Sequence, residues 1–373
     1  MGWTALASLA PYYPLYALLF LATGLTEGQV SGLFALWSVT GFVAEVPAGA
    51  LADRWSRRGC VVLASCLEAA GFTLWTMLPT LPGFAAGFVL WGLGGALVSG
   101  AAEALVYDGL AAVGAAAAYP RVNGWISATQ LAVQAPTAGL AAGLFALGGY
   151  PLVGWASVVV CLAAALLALR FPAGDPARHG TPLPEGDGAE EAGPDDGWMG
   201  TLRRPEVALV VLTTALVGGL DAIEEYFPVM AGDWGVRPGV VPLAILAVPL
   251  TGAMGAALGG RAGRISGWAL GGLLVAVAGS FAVAAAVARP FGLAAVAVGY
   301  GGYLAVLVVA EARLQDRLPA RHRATLTSVA ALGIEVTSLL VFAAWAVHGL
   351  LGVVVVVGLV APVVAGALHP RRP

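Results

Sequence analysis

Lysine is absent from this chain, and all 18 of its basic side chains are arginine. Charge of either sign is scarce, at 10% of 373 residues, where a soluble domain carries roughly 25%. That shortage excludes an ordinary water-exposed globular protein. Cysteine is nearly missing. Cys60, Cys66 and Cys161 lie in or beside apolar runs without metal-ligand spacing, and His179, His322, His348 and His369 are scattered. Those counts and spacings give no disulfide framework, zinc site or haem attachment, and no cofactor or metal is expected. The first apolar run has no basic flank before it and no small-residue cleavage site after it, so it reads as a retained span, not a signal peptide. What fills the chain is apolar: 59% hydrophobic residues and a mean hydropathy of +0.87. The expected class is an all-α integral membrane protein, most of it transmembrane.

A helix needs about 20 apolar residues to cross the hydrocarbon. Cutting at charged and Pro/Gly-rich breaks predicts six spans at 3–24, 28–52, 59–79, 83–110, 121–147 and 150–171, then six more at 205–231, 237–259, 266–288, 291–314, 322–348 and 350–368. Between them, 172–204 is Pro/Gly-rich and acidic and predicts a flexible loop. The chain therefore divides into a six-helix half at 1–171, a linker at 172–204 and a second six-helix half at 205–373.

Arginine sets the orientation. With both termini in the cytoplasm, only Arg237 and Arg289 fall on the outer side, and the other arginines fall inside. The halves also read as copies. "AEALVYDGL" at 102–110 returns as "AEARLQDRL" at 310–318, an offset of 208, and "LADRWSRR" at 51–58 has a fainter echo at 258–265, an offset of 207. A weaker echo sets "YYP" at 12–14 against "YFP" at 226–228.

"GALADRWSRRGCV" at 49–61 joins the second and third spans. It resembles the loop signature of the major facilitator superfamily, usually written G-x-L-A-D-R-x-G-R-K. Gly49, Leu51, Ala52, Asp53, Arg54, Arg57 and Arg58 match, and Ser56 stands where glycine is usual. The resemblance implies a twelve-helix fold of two pseudo-symmetric halves and a cytoplasmic gate built around this loop. Its arginines would pair with carboxylates on other helices. Glu103 and Asp108, and their repeat equivalents Glu311 and Asp316, lie within reach on that reading, and Arg261, Arg264 and Arg317 would serve the second half. A positive-inside anchor is the plainer use of the same arginines. On the fifth span, Pro136 and Gly139 are similar to part of the glycine-rich signature of exporting members, with Ala135 and Leu140 departing from it. They predict a kink and close helix contact.

Carboxylates inside spans are costly and normally face a cavity or a partner. Asp221, Glu224 and Glu225 fall in the outer third of the seventh span, because only about 14 apolar residues precede Asp221, too few to cross. Positions i, i+3 and i+4 share a helix face, so all three are expected to point together. They read either as a proton-exchanging or cation-attracting cluster or as an exposed acidic rim. Tyr226, with Tyr12, Tyr13 and Tyr16 on the first span, would add aromatic walls and cation–π contact. Glu335 sits near mid-span in the eleventh and Glu45 two turns above Arg54, each either a proton or substrate site or a partner of a neighbouring helix. Glu68 lies on the third span, which the resemblance makes peripheral.

No basic residue lies within the predicted membrane interior, which disfavours anionic substrates. The leading expectation is proton-coupled export of a hydrophobic or cationic small molecule across the plasma (inner) membrane by a monomer. Its partners would be that substrate, protons and the bilayer, without nucleic acid. Uptake or facilitated diffusion of a neutral metabolite is the alternative. A receptor or enzyme is a third class, but no nucleophile–base pair, metal set or phosphate loop supports it.

Overall fold

The structure is a computed structural model that describes residues 1–171, 197–261 and 265–368. Every regular element among them is helical. Among the described residues ten segments are long and apolar enough to cross a membrane, which makes this a multi-pass membrane protein. Helices satisfy their own backbone groups, so a chain this apolar can span lipid only in this form or as a closed barrel.

Two compact units account for the described residues. The first holds 1–26, 32–171 and 237–243, and the second holds 27–31, 197–236, 244–261 and 265–368. In chain order the helices are α1 (Gly2–Ala7), α2 (Tyr16–Ala22), α3 (Glu27–Arg54), α4 (Arg57–Met77), α5 (Leu81–Ala112) and α6 (Tyr119–Ala168). There follow α7 (Gly197–Leu202), α8 (Pro205–Gly219), α9 (Phe227–Asp233), α10 (Val241–Ile245), α11 (Ala247–Arg261), α12 (Gly267–Val287), α13 (Gly292–Arg317), α14 (Arg323–His348) and α15 (Leu350–Ala367).

Several expected spans are not single rods. The segment expected as one helix at 3–24 is broken between α1 and α2, and Pro11 and Pro14 fall in the break. Each proline removes a donor and pushes the preceding residue away from helical geometry. The freed Tyr12 N–H donates to Ser157 Oγ at 3.0 Å, which keeps it satisfied inside the bundle. The fifth and sixth predicted spans form one element, α6, interrupted by non-helical backbone at Gly148 and Gly149. Gly149 has φ +62°, a conformation that favours glycine. Near the eighth, α10 stops at Ile245, four residues before Pro249, whose ring opposes that carbonyl and offers it no N–H. Part of the expected loop is also helical: α7 lies inside 172–204, while 172–196 falls outside the described residues.

The first unit buries an aromatic core. Trp75, Phe20, Phe84 and Phe88 are each 0% exposed. The Trp75 indole N–H donates to the Phe84 carbonyl at 3.1 Å, so α4 and α5 are tied at a wholly buried point. The second unit relies on small residues. A Cβ at Gly252 would stand 2.9 Å from the Tyr300 ring, and one at Gly301 2.8 Å from the Thr251 carbonyl. α11 and α13 therefore meet backbone to backbone, the usual device where lipid gives no hydrophobic drive.

Candidate functional site

The most polar apolar-embedded feature of the second unit is built on α8 and its continuation. The stretch Pro205–Asp233 is a single apolar candidate span that contains all three acids. Near its middle, Gly218 and Gly219 lie against α14. A Cβ at Gly219 would stand 2.7 Å from the Ile334 carbonyl and 2.8 Å from the Ser338 nitrogen. The α8 backbone is thus wedged onto α14 by two residues without side chains. On its other side Thr214 Oγ1 donates to the Ala310 carbonyl of α13 at 3.4 Å.

Directly after this wedge the helix tightens to 3₁₀ geometry at Leu220–Tyr226. This corrects the expectation that the three acids share a face. A 3₁₀ turn has three residues, so i and i+3 eclipse while i+4 swings about 120° away. The structure follows that rule. The Tyr300 hydroxyl of α13 donates to Asp221 Oδ1 at 2.9 Å and to Glu224 Oε2 at 3.4 Å. Glu225 points elsewhere and is only 5% exposed. Asp221 and Glu224 are half-buried, not an exposed rim. Tyr303, one turn along α13, donates to the Gly218 carbonyl at 3.3 Å and stands 5.6 Å ring to ring from Tyr300. Phe227 packs edge-on to Tyr300 at 5.1 Å.

Tyr226 has a different task from the one expected. It stacks on Trp345 at 4.0 Å and 13°, and its hydroxyl donates to Ser31 Oγ at 2.7 Å. The Trp345 indole N–H donates to Glu27 Oε2 at 2.7 Å. Glu27 and Ser31, in the first turns of α3, belong to this unit.

Tyr12 and Tyr16 are corrected more sharply. They are 0% and 2% exposed within the first unit. Tyr12 packs on Phe72 and Trp75, and Tyr16 on Phe20, Phe34, Phe88 and Trp91. They are core residues there, because the break at Pro11 and Pro14 turns their rings into the bundle. Tyr13 is 38% exposed and touches Tyr16 and Trp91. Glu45 accepts from Ser99 Oγ at 2.9 Å, tying α3 to α5 as a carboxylate with a neighbouring-helix partner. Glu335 is half-buried on α14, one turn from Ser338.

At the loop motif, Arg57 bonds Asp108 of α5 and stands 3.6 Å from Asp53. Arg58 donates to the Phe171 carbonyl at 3.1 Å. All five residues lie in the first unit, so these bonds tie that unit internally. Ser56, at the motif's usual glycine, caps α4 by accepting from Gly59 N–H at 3.1 Å. Gly49 has open space where a Cβ would be, and Arg54 is exposed. Glu103, Glu311 and Asp316 are exposed and form no ion pair among the described residues. Among the described residues none of these three pairs with a motif arginine, and Arg57 pairs with Asp108, the other α5 acid expected within reach. Arg317 donates to the Ala367 carbonyl at 3.0 Å, a helix-end cap, and Arg261 to its own helix at Ala257 O, 3.0 Å. Arg264 lies outside the described residues. On α6 the backbone stays helical through Pro136, and a Cβ at Gly139 would meet nothing within 4 Å. The break in α6 occurs instead at Gly148 and Gly149.

The sequence profile of the major facilitator superfamily matches residues 1–342. The chain belongs to that superfamily. This major facilitator is similar in structure to a D-xylose–proton symporter, with a TM-score of 0.72 at 12% identity over 99% of this chain and 97% of that one. It is similar to the peptide-family transporter PepTSo, with a TM-score of 0.72 at 13% identity over 98% and 97%. It is also similar to the xylose transporter XylE from E. coli, with a TM-score of 0.67 at 14% identity over 99% and 96%. No curated protein sequence matches it. At such identities the likeness carries the fold. The major facilitator is thus a transporter rather than an enzyme.

Two tyrosines of the second unit escaped the sequence reading. Tyr300 and Tyr303 sit in "VGYGGYL" at 298–304, where two tyrosines among glycines were the available signal. Arg313, only 7% exposed, bonds the carbonyls of Leu368 and Ile265. Those bonds occupy it at a helix end. No basic residue lies between Pro205 and Asp233 or between Gly292 and Ala312.

Proposed function

We propose that this major facilitator is a secondary active transporter that exports a hydrophobic or cationic small molecule in exchange for protons. The observation that carries this is the sharing of one hydroxyl, that of Tyr300, by Asp221 and Glu224. One O–H supplies one proton to two carboxylates. Two such charges at ~6 Å repel by roughly 3 kcal/mol at an effective dielectric of ~20. A proton or an organic cation relieves that repulsion, so the two compete for the same place. Competition of this kind is the simplest physical basis for antiport. Glu335 on α14 is a second proton site on this reading.

The architecture proposed is twelve spans in two six-helix halves, 1–171 and 205–373, joined by 172–204. Both termini lie in the cytoplasm of a monomer in the plasma (inner) membrane, with substrate admitted alternately from either side. The ten apolar segments fit this count if α6 supplies two spans, parted at Gly149, and α1 with α2 supplies the broken first one. The loop-motif residues Gly49, Asp53, Arg54, Arg57 and Arg58 would then border the cytoplasmic gate.

The test is ethidium flux in proteoliposomes under pH gradients of either sign. Antiport predicts that reversing the gradient reverses net flux. Flux indifferent to the gradient sinks the proposal in favour of facilitated diffusion, the reading kept for neutral metabolites.

A further inference from the structure

The first unit contains a cavity of about 840 Å³ that plays no part in the transport reading. It lies between α1, α4, α5 and α6 and extends along α4 away from the helix end that carries Arg57. Tyr119, Phe171 and Glu103 line its outer part, and Ser65, Glu68 and Gln130 its inner part. Glu68 lies eleven residues along α4 from Arg57, roughly 16 Å deep at 1.5 Å per residue. Its stem passes α5 at Gly94, where a Cβ would stand 3.3 Å from Glu68 Cγ. The missing side chain of Gly94 is what lets the carboxylate reach the cavity.

Three features mark a site rather than a packing gap. A volume of this size falls within the roughly 300–1,000 Å³ of small-molecule pockets. The Glu68 carboxylate has no hydrogen-bond or ion-pair partner among the described residues. A carboxylate at that depth normally has one. The lining also includes Trp3, whose buried indole N–H has no acceptor among the described residues and whose ring packs edge-on to Phe171 at 5.9 Å. No arginine or histidine side chain lines the cavity; its acidic side chains are Glu68 and Glu103, and Met1, which carries the amino terminus, also lines it.

We propose that this cavity binds a soluble organic cation with an apolar body, its charge on Glu68 and its body against Trp3 and Phe171. Glu103 at the outer part attracts the cation, and the indole supplies a cation–π face. The site lies wholly within the first unit and is separate from the Asp221 cluster of the second.

Isothermal titration of the full-length protein with tetraphenylphosphonium and tetraphenylborate tests the charge rule. The two ions share one shape and differ in sign. The first is expected to bind and the second to leave no heat. Glu68→Gln should weaken binding roughly tenfold or more, since it removes the only inner charge. These titrations are repeated in an Asp221→Asn background, which removes the cation site proposed for the second unit. There Ala102→Trp, which fills the cavity from α5, should abolish binding, and Gly139→Ala, outside the cavity lining, should leave the affinity within about twofold. Equal binding of both ions overturns the proposal. So does unchanged affinity in a folded Ala102→Trp protein, or the absence of tetraphenylphosphonium binding in the Asp221→Asn background. If Glu68→Gln fails to fold, the ion comparison and Ala102→Trp decide.

Discussion

Adding one methyl group at Gly219 should loosen the whole α8–α14 contact. The new Cβ would stand 2.7 Å from the Ile334 carbonyl and 2.8 Å from the Ser338 nitrogen, both distances inside van der Waals contact. Both atoms are backbone on α14, so neither can rotate away as a side chain would. The helices must separate instead. Overpacking of this kind costs about 1–3 kcal/mol, against which alanine in place of glycine returns at most about 1 kcal/mol of helix propensity. The net effect is destabilising. Gly139→Ala is the internal control. It adds the same methyl to α6 where nothing stands within 4 Å, so only the propensity gain applies. Thermal unfolding of the purified protein should therefore show a lower midpoint for Gly219→Ala and an equal or higher one for Gly139→Ala. Asp221 follows two residues after Gly219, so Gly219→Ala should also slow ethidium flux. Reversal of the order, with Gly139→Ala the more damaging, would refute the packing argument. It would return the α6 glycine to the role its motif resemblance implied.

Three further outcomes follow from the same structure. Tyr226→Phe deletes a 2.7 Å hydrogen bond to Ser31 at a buried ring. It should cost about 1 kcal/mol, read as a lower unfolding midpoint with the stacking on Trp345 kept. Arg313→Ala leaves the Leu368 and Ile265 carbonyls without their charged donor and should cost about 1.5–3 kcal/mol. Arg57→Ala breaks pairs whose acids are 69% and 49% exposed, should cost at most about 1 kcal/mol, and should weaken further in significance as salt rises. A melting series of these last two at low and high salt separates them.

How far the sequence could be read depended on the kind of physics involved. Composition and hydropathy identify a membrane bundle, because lipid forces every backbone group into a helix or a closed barrel. The loop motif identifies the family, since its residues are local. The prolines at 11 and 14 and the glycines at 148 and 149 were visible as breakers, yet the depth of each break depends on partners such as Ser157. The acids of the second unit were found by their cost in an apolar run. Their facing was misread because α-helical spacing was carried through a segment that turns 3₁₀. No periodicity signals that change, which begins at Leu220, directly after Gly218 and Gly219 meet α14. Tyr300 was missed for a related reason. A tyrosine in an apolar helix looks like core until the helix opposite is known to carry acids. Arg57 was placed in the loop, and of the two α5 acids named within its reach it pairs with Asp108, a choice that helix spacing alone does not make.

The central claim is that Asp221 couples proton movement to substrate movement. It is tested most directly by comparing Asp221→Asn with the unaltered protein in proteoliposomes loaded with ethidium. Two fluxes are measured, exchange at equal pH on both sides and net movement driven by a pH gradient. The account predicts that Asp221→Asn keeps exchange and loses the gradient-driven movement. Gradient-driven movement at the unaltered rate in Asp221→Asn would contradict it.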